Sequence, residues 1–139
     1  MLTPKEIVLQ VEEAWARGEL DKLDELIAPE LTSHDAIPGL PRGLAGAKAG
    51  HAAFLKSFPD RTISIEHVVA EGDLVAVHAK GAATHTGDPF FGVPPSGRRV
   101  SLESISIYRV RDGKVVEHWG LNATWNLMQQ LGAIPAPGT

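Results

Sequence analysis

Apolar residues change their spacing once along this 139-residue chain, and that change limits the folds open to it. Through Ser57 they recur at helical intervals; from Thr62 onward they alternate with polar neighbours. Helices gathered ahead of strands specify an α+β domain, with helices folded over a curved antiparallel sheet. Thr3, Pro4 and Glu6 stand as N-cap, first-turn proline and capping-box partner, so a helix starts there. Ile7, Val8, Val11, Ala14 and Trp15 supply its apolar stripe, and Gly18 its C-cap. Leu20, Leu23, Leu26 and Ile27 repeat the stripe in a second short helix ending before Pro29, and a third is expected over Ala47 to Ser57. Between them, Thr32 to Gly46 is dense in Pro and Gly and reads as a loop carrying His34, Asp35 and Arg42.

In the second half, Ile63, Ile65, His67 and Val69 form one strand, and Glu71-Gly72-Asp73 turns the chain into another from Leu74 to His85. Thr86 to Gly97 carries Pro89, Pro94 and Pro95 beside Phe90 and Phe91, too much proline for a central strand, so it reads as a rim loop. Val100 to Val110 and Val115 to Leu121 then make a long hairpin across Asp112-Gly113, and Thr124 to Leu131 closes the chain as a short helix capped by Gly132. There is no internal repeat, and a single domain is expected over residues 1–139.

Composition narrows function by exclusion. With 43% apolar and 22% charged residues the chain is ordinary globular protein, and a net charge of −4 with scattered basic residues gives no footprint for nucleic acid. Without cysteine there is no disulfide, no thiolate metal site and no cysteine nucleophile. Six histidines lack the fixed short spacing of a metal site, so no metal is expected. No apolar run is long enough to span a membrane, and the charged start is unlike a signal peptide, so a cytoplasmic protein without membrane or nucleic-acid partners is expected.

The closing hairpin can be read for facing. A two-residue loop of Asp112-Gly113 sets His118 opposite Ile107, whereas a three-residue loop with Gly113 in a left-handed bulge sets it opposite Ser106. The second register puts Ser104, Ser106, His118 and Gly120 on one face and Ile105, Ile107, Trp119 and Val115 on the other. That division favours the bulged loop, since the first would bury an imidazole between isoleucines at about 1–3 kcal/mol for its unmet hydrogen.

Four stretches in order, GDLVAVHAKGAATHTG at 72–87, FGVPPSGRRV at 91–100, ISIYRVRDGKVVEHW at 105–119 and LMQQLGAIP at 127–135, resemble the SnoaL-like polyketide cyclase (ester cyclase) branch of the superfamily named after nuclear transport factor two. The resemblance implies a cone whose helices and curved sheet surround an apolar cavity, in a homodimer. In the characterised cyclases that this chain resembles, an aspartate directly after the His-Trp pair is the acid/base of an intramolecular aldol closure. Here His118-Trp119 is followed by Gly120, and Ser104 and Ser106 stand where larger amide and imidazole groups are expected.

The residues left to do chemistry are His118, facing the cavity, and His34, in the segment that supplies a polar residue to family pockets; an imidazole exchanges protons near neutral pH. A structural histidine bonded to a cross-strand serine is the competing role for His118. Asp35, adjacent on an extended strand, points away from the ring of His34. Ser104, Ser106 and Asn122 are candidates to hold a substrate oxygen, although capping the last helix is the commoner role for Asn122. Phe90 and Phe91 read as a lip over the cavity, and Trp15 completes the expected lining. His67, His78 and His85 read as structural, and Glu103 as outward-facing. Two functions stay open: a cofactor-independent enzyme moving protons on a small apolar carbonyl compound (cyclisation, isomerisation or elimination), or a non-catalytic binding protein that has lost the family aspartate. An epoxide-opening hydrolase ranks last, for want of placed carboxylates. The isoleucine face is expected to pair two chains.

Overall fold

The computed structural model describes residues 1–135, so the last four residues of the expected 1–139 domain lie outside the described residues. Helices α1 (Pro4–Arg17) and α2 (Leu20–Leu26) open the chain as a hairpin, followed by strand β1 (Ile27–Ser33) and helix α3 (Gly43–Ser57). Strands β2 (Thr62–Glu71), β3 (Leu74–Thr84), β4 (Arg99–Arg111) and β5 (Lys114–Asn122) follow, and helix α4 (Thr124–Gln130) ends the fold. The caps of α1 are those the sequence specifies: Thr3 accepts from the Glu6 amide, and Gly18 at φ 70° closes the helix.

The five strands form one sheet in the order β1-β5-β4-β3-β2. It is mixed rather than wholly antiparallel, because β1 runs parallel to β5, with Ser33 beside His118. That strand corrects two expectations: the second helix stops at Leu26, and the segment read as a loop from Thr32 begins as strand and ends as the first turn of α3, which starts at Gly43 rather than Ala47. Pro29 is tolerated because β1 lies at the sheet edge. Burial of Ile27, Ala28 and Leu31 holds it there.

The hairpin register also differs from expectation. Asp112 (φ 50°) and Gly113 (φ 78°) form a two-residue turn with Arg111 opposite Lys114 and Val110 opposite Val115; then Arg109 pairs with Glu117, leaving Val116 as a bulge. His118 therefore faces Tyr108, and Gly120 faces Ser106. The division into faces survives with one exception. The bulge turns Val115, expected outside with the isoleucines, into the core, where it is fully buried.

Inner-face residues Val75, Val77, Tyr108, Val110 and Val115 pack on Ile7, Val8 and Val11 of α1 and Leu44 of α3 in one core. A second core joins Phe58, Ala83, Val100, Leu127 and Leu131 at the other end. Bulges in β2 and β5 curve the sheet, and a cavity opens inside the curve. Helix α3 makes room for it by being poor in side chains: Gly46, Ala47 and Gly50 face the space. No helix among the described residues is long and apolar enough to cross a membrane.

Candidate active site

Two adjoining chambers occupy the interior. The larger, of about 810 Å³, is walled by Trp15, Ile27, Leu31, Asp35, Ala47, Tyr108, Val115 and His118 among others. The smaller, of about 590 Å³, is walled by Phe54, Ile63, Phe90, Phe91, Leu102, Ser104 and Leu127 among others. Ile37, Leu40, Gly50, His51, Phe54 and Asn122 belong to both walls. A mostly apolar enclosure with a few convergent polar groups is the usual form of a small-molecule site.

In the larger chamber His118 Nδ1 lies 2.9 Å from Asp35 Oδ1. A carboxylate only accepts, so Nδ1 carries the proton and Nε2 is left as the ring atom free to exchange one. The Ser33 hydroxyl donates to the same Asp35 oxygen at 2.9 Å. Burial works to raise the Asp35 carboxyl, but the bonds from His118 and Ser33 and the charge of a protonated His118 outweigh it and hold the group below its ordinary value. The Tyr108 ring packs on His118 with centroids 4.8 Å apart, and its hydroxyl donates to Glu12 of α1. Burial raises the Glu12 carboxyl, opposed by the Tyr108 bond and by His118 and Arg61. The result is a line of titratable groups from α1 through β4 and β5 to the end of β1.

A second polar group lies where the chambers meet. Arg61 donates from Nη2 to the Trp15 carbonyl at 2.9 Å, and its Nη1 lies 3.2 Å from His51 Nδ1. The Trp15 ring packs on His51 at 4.7 Å. Burial, and then the Arg61 charge, lower His51 to about 4, so the ring is neutral near pH 7. His51 Nε2 and Arg61 Nε are buried without a partner.

The expected pairing of His34 with His118 in one pocket is not what the structure holds. Alternation along β1 turns Asp35 inward and His34 outward, where its ring stacks on Trp119 at 4.8 Å and its Nε2 lies 2.7 Å from Glu117 Oε2. His34 lines neither chamber. Trp15 lines the larger chamber, Ser104, Phe90 and Phe91 the smaller, and Asn122 both; Ser106, on the inner face, lines neither. Asn122 ends β5 and does not cap α4, whose N-cap is Ala123. His67 and His78 pair on the outer face with their Nδ1 atoms 3.0 Å apart, and His78 reaches Glu103 at 2.6 Å. His85 is fully buried with Nε2 2.9 Å from the Asp88 carbonyl. Among the described residues no three His, Cys, Asp or Glu groups gather as metal ligands. Sequence reasoning passed over Glu12, Tyr108, His51 and Arg61. It had the signal for Asp35, since an outward His34 requires an inward Asp35.

Helices closing a curved sheet around an apolar cavity, with a hydrogen-bonded imidazole and carboxylate in its wall, define a cone-shaped α+β protein of the nuclear transport factor two class. The chain belongs to the SnoaL-like polyketide cyclase family, whose model matches residues 5–131. It is 33% identical over 136 residues to an aklanonic acid methyl ester cyclase of Streptomyces peucetius, covering 95% of this chain and 92% of the relative. A second aklanonic acid methyl ester cyclase, from Streptomyces sp. (strain C5), is 32% identical over 131 residues, covering 91% of this chain and 80% of the relative. Among solved structures, wild-type IdmH of Streptomyces antibioticus superposes with a TM-score of 0.81 at 36% identity, covering 94% of this chain and 99% of that one. TsrD of Streptomyces laurentii gives 0.83 at 28% identity, covering 96% and 100%.

Proposed function

We propose that this chain is a cytoplasmic, cofactor-independent enzyme that moves protons on an apolar carbonyl compound to close a ring, with His118 as its acid/base group. The observation that carries this is the 2.9 Å contact between His118 Nδ1 and Asp35 Oδ1 in the wall of the larger chamber. A carboxylate that fixes the tautomer of an imidazole leaves its other nitrogen aimed at one task, and general acid/base groups of this kind contribute about 10²–10⁴-fold. The apolar walls orient the substrate and exclude water, and the amide of Asn122, shared by both chambers, is a candidate donor to a developing oxyanion. The relatives named for aklanonic acid methyl ester support an ester-bearing polycarbonyl compound as the substrate class.

The test is incubation of the protein with aklanonic acid methyl ester, following ring closure by chromatography at unchanged mass. Wild type is expected to convert it, and His118→Gln to be slower by about 10²-fold or more with an unchanged circular dichroism spectrum. Tight binding without conversion by wild type would favour the non-catalytic binding protein.

We also propose that two chains pair through the outer sheet face. Support comes from two rows that cross four strands there, Val69-Ala76-Ile107-Trp119 and His67-His78-Ile105-Leu121, with Ile105 55%, Ile107 39% and Leu121 78% exposed.

A further inference from the structure

We infer that Asp35 is itself the reacting base of the larger chamber, its Oδ2 filling the space that a side chain at position 120 would occupy; this deepens the proton-transfer reading above and rests on it. A Cβ built on Gly120 would lie 2.6 Å from Asp35 Oδ2, 3.2 Å from Asp35 Cγ and 2.8 Å from His118 Cε1. A carbon and a carboxylate oxygen do not pack that closely, so a side chain at 120 and the Asp35 carboxylate exclude one another. Gly120 is what lets a carboxylate arriving from the end of β1 stand beside His118.

The two oxygens of Asp35 are not equivalent. Oδ1 accepts from both the Ser33 hydroxyl and His118, whereas Oδ2 has no side-chain donor among the described residues. The carboxylate is also held in place by backbone. The His34 amide donates to the His118 carbonyl at 2.9 Å, which ties the residue before Asp35 to β5. One oxygen anchored, one oxygen free and a fixed carrier are what a positioned base requires.

At a substrate carbon beside a carbonyl, Oδ2 would take the proton: the C–H bond breaks, an O–H bond forms on the carboxyl, and the bonding pair moves onto the carbonyl oxygen as an enolate. When the enolate carbon bonds to a second carbonyl carbon of the same molecule, that carbonyl's oxygen becomes an alkoxide and takes the proton back from Oδ2. Atoms and electrons balance without oxidant, reductant or co-reactant. The substrate class is therefore a compound with two carbonyl groups and an acidic C–H between or beside them.

A probe that needs a base and no acid separates Asp35 from His118. In a nitrobenzisoxazole, removal of the ring C–H beside nitrogen forms a nitrile, breaks the N–O bond and releases a coloured cyano-nitrophenolate. Wild type is expected to open this probe well above the rate in buffer, Asp35→Asn to lose about tenfold or more of that rate, and His118→Gln to keep most of it. Gly120→Asp alone should lose both rate and thermal stability, because two carboxylates then compete for one space. Asp35→Ala/Gly120→Asp should regain stability and most of the lost rate. Asp35→Asn as fast as wild type, no rate above buffer in wild type, or a folded but inactive double variant would each overturn the inference. A slow His118→Gln beside a fast Asp35→Asn would also overturn it, while leaving the chamber a proton-transfer site with its base on His118.

Discussion

Val115 and His118 face the same side of β5 although an odd number of residues separates them in sequence, because Val116 between them bulges out of the ladder. On an unbroken strand they would point to opposite faces, and either the core would lose Val115 or the larger chamber would lose His118. One unpaired residue thus lets a core strand end as a cavity wall. The two-residue turn just before it fixes the register up to Val115, and the bulge resets it for Glu117 to Asn122.

Tyr108 is expected to matter for stability through Glu12. Its hydroxyl is the donor to a buried carboxyl that burial has already raised. Tyr108→Phe leaves that carboxyl without its donor and should cost about 1–3 kcal/mol in urea denaturation at pH 7. A carboxyl raised in the folded state contributes stability fully below its unfolded value and loses it as pH rises through its folded one. Glu12→Gln, which cannot ionise, should therefore flatten the decline of stability toward pH 7. An unchanged slope in Glu12→Gln would refute this.

His51 works in the opposite sense. Its folded value is about 4 against an ordinary 6.5, so between those values the unfolded chain binds the proton that the folded chain refuses. The stability this lends is present above about pH 6.5 and drains away as pH falls toward 4. His51→Gln should lack that loss, and the gap between the denaturation midpoints of variant and wild type should change steadily from pH 7 to pH 4.5 in favour of the variant.

How much of this was legible beforehand follows from the range of each interaction. The period change after Ser57, the caps of α1 and the Asp112-Gly113 turn are local, and the sequence marks them with its own residues. The split of Ser104, Ser106 and His118 from Ile105, Ile107 and Trp119 was readable because alternation survives a register error of an even number of residues. β1 was missed because it is short, contains Pro29 and exists only by pairing with a strand near the other end of the chain. The bulge at Val116 carries no Gly or Pro to announce it. Asp35 beside His118, and Glu12 beneath Tyr108, depend on those long-range pairings and could not be placed without them.

His34→Gln tests the correction to its role. The ring stacks on Trp119 and reaches Glu117 outside the cavity, so the substitution should leave turnover of a converted substrate within a few-fold of wild type, against about 10²-fold for His118→Gln. Equal losses in the two variants would return His34 to the reaction.

The outer face offers the last test. Ile105, Ile107 and Leu121 stand exposed on strands whose other face is packed under α1 and α3, and Trp119 lies among them between His34 and Arg109. An apolar strip flanked by charged groups, here Asp73, Arg109 and Glu117 at one side, has the composition of a buried contact with a polar rim. Since the same rows would meet on both chains, the contact is self-complementary, as a two-fold dimer requires. Ile107 sits in the row with Trp119, so Ile107→Lys places two like charges close to the axis and leaves the inner core untouched. Light scattering should give wild type at twice the 14.9 kDa chain mass and Ile107→Lys at the single mass with an unchanged circular dichroism spectrum. A monomeric wild type would remove the dimer, and a dimeric Ile107→Lys would move the interface to another face.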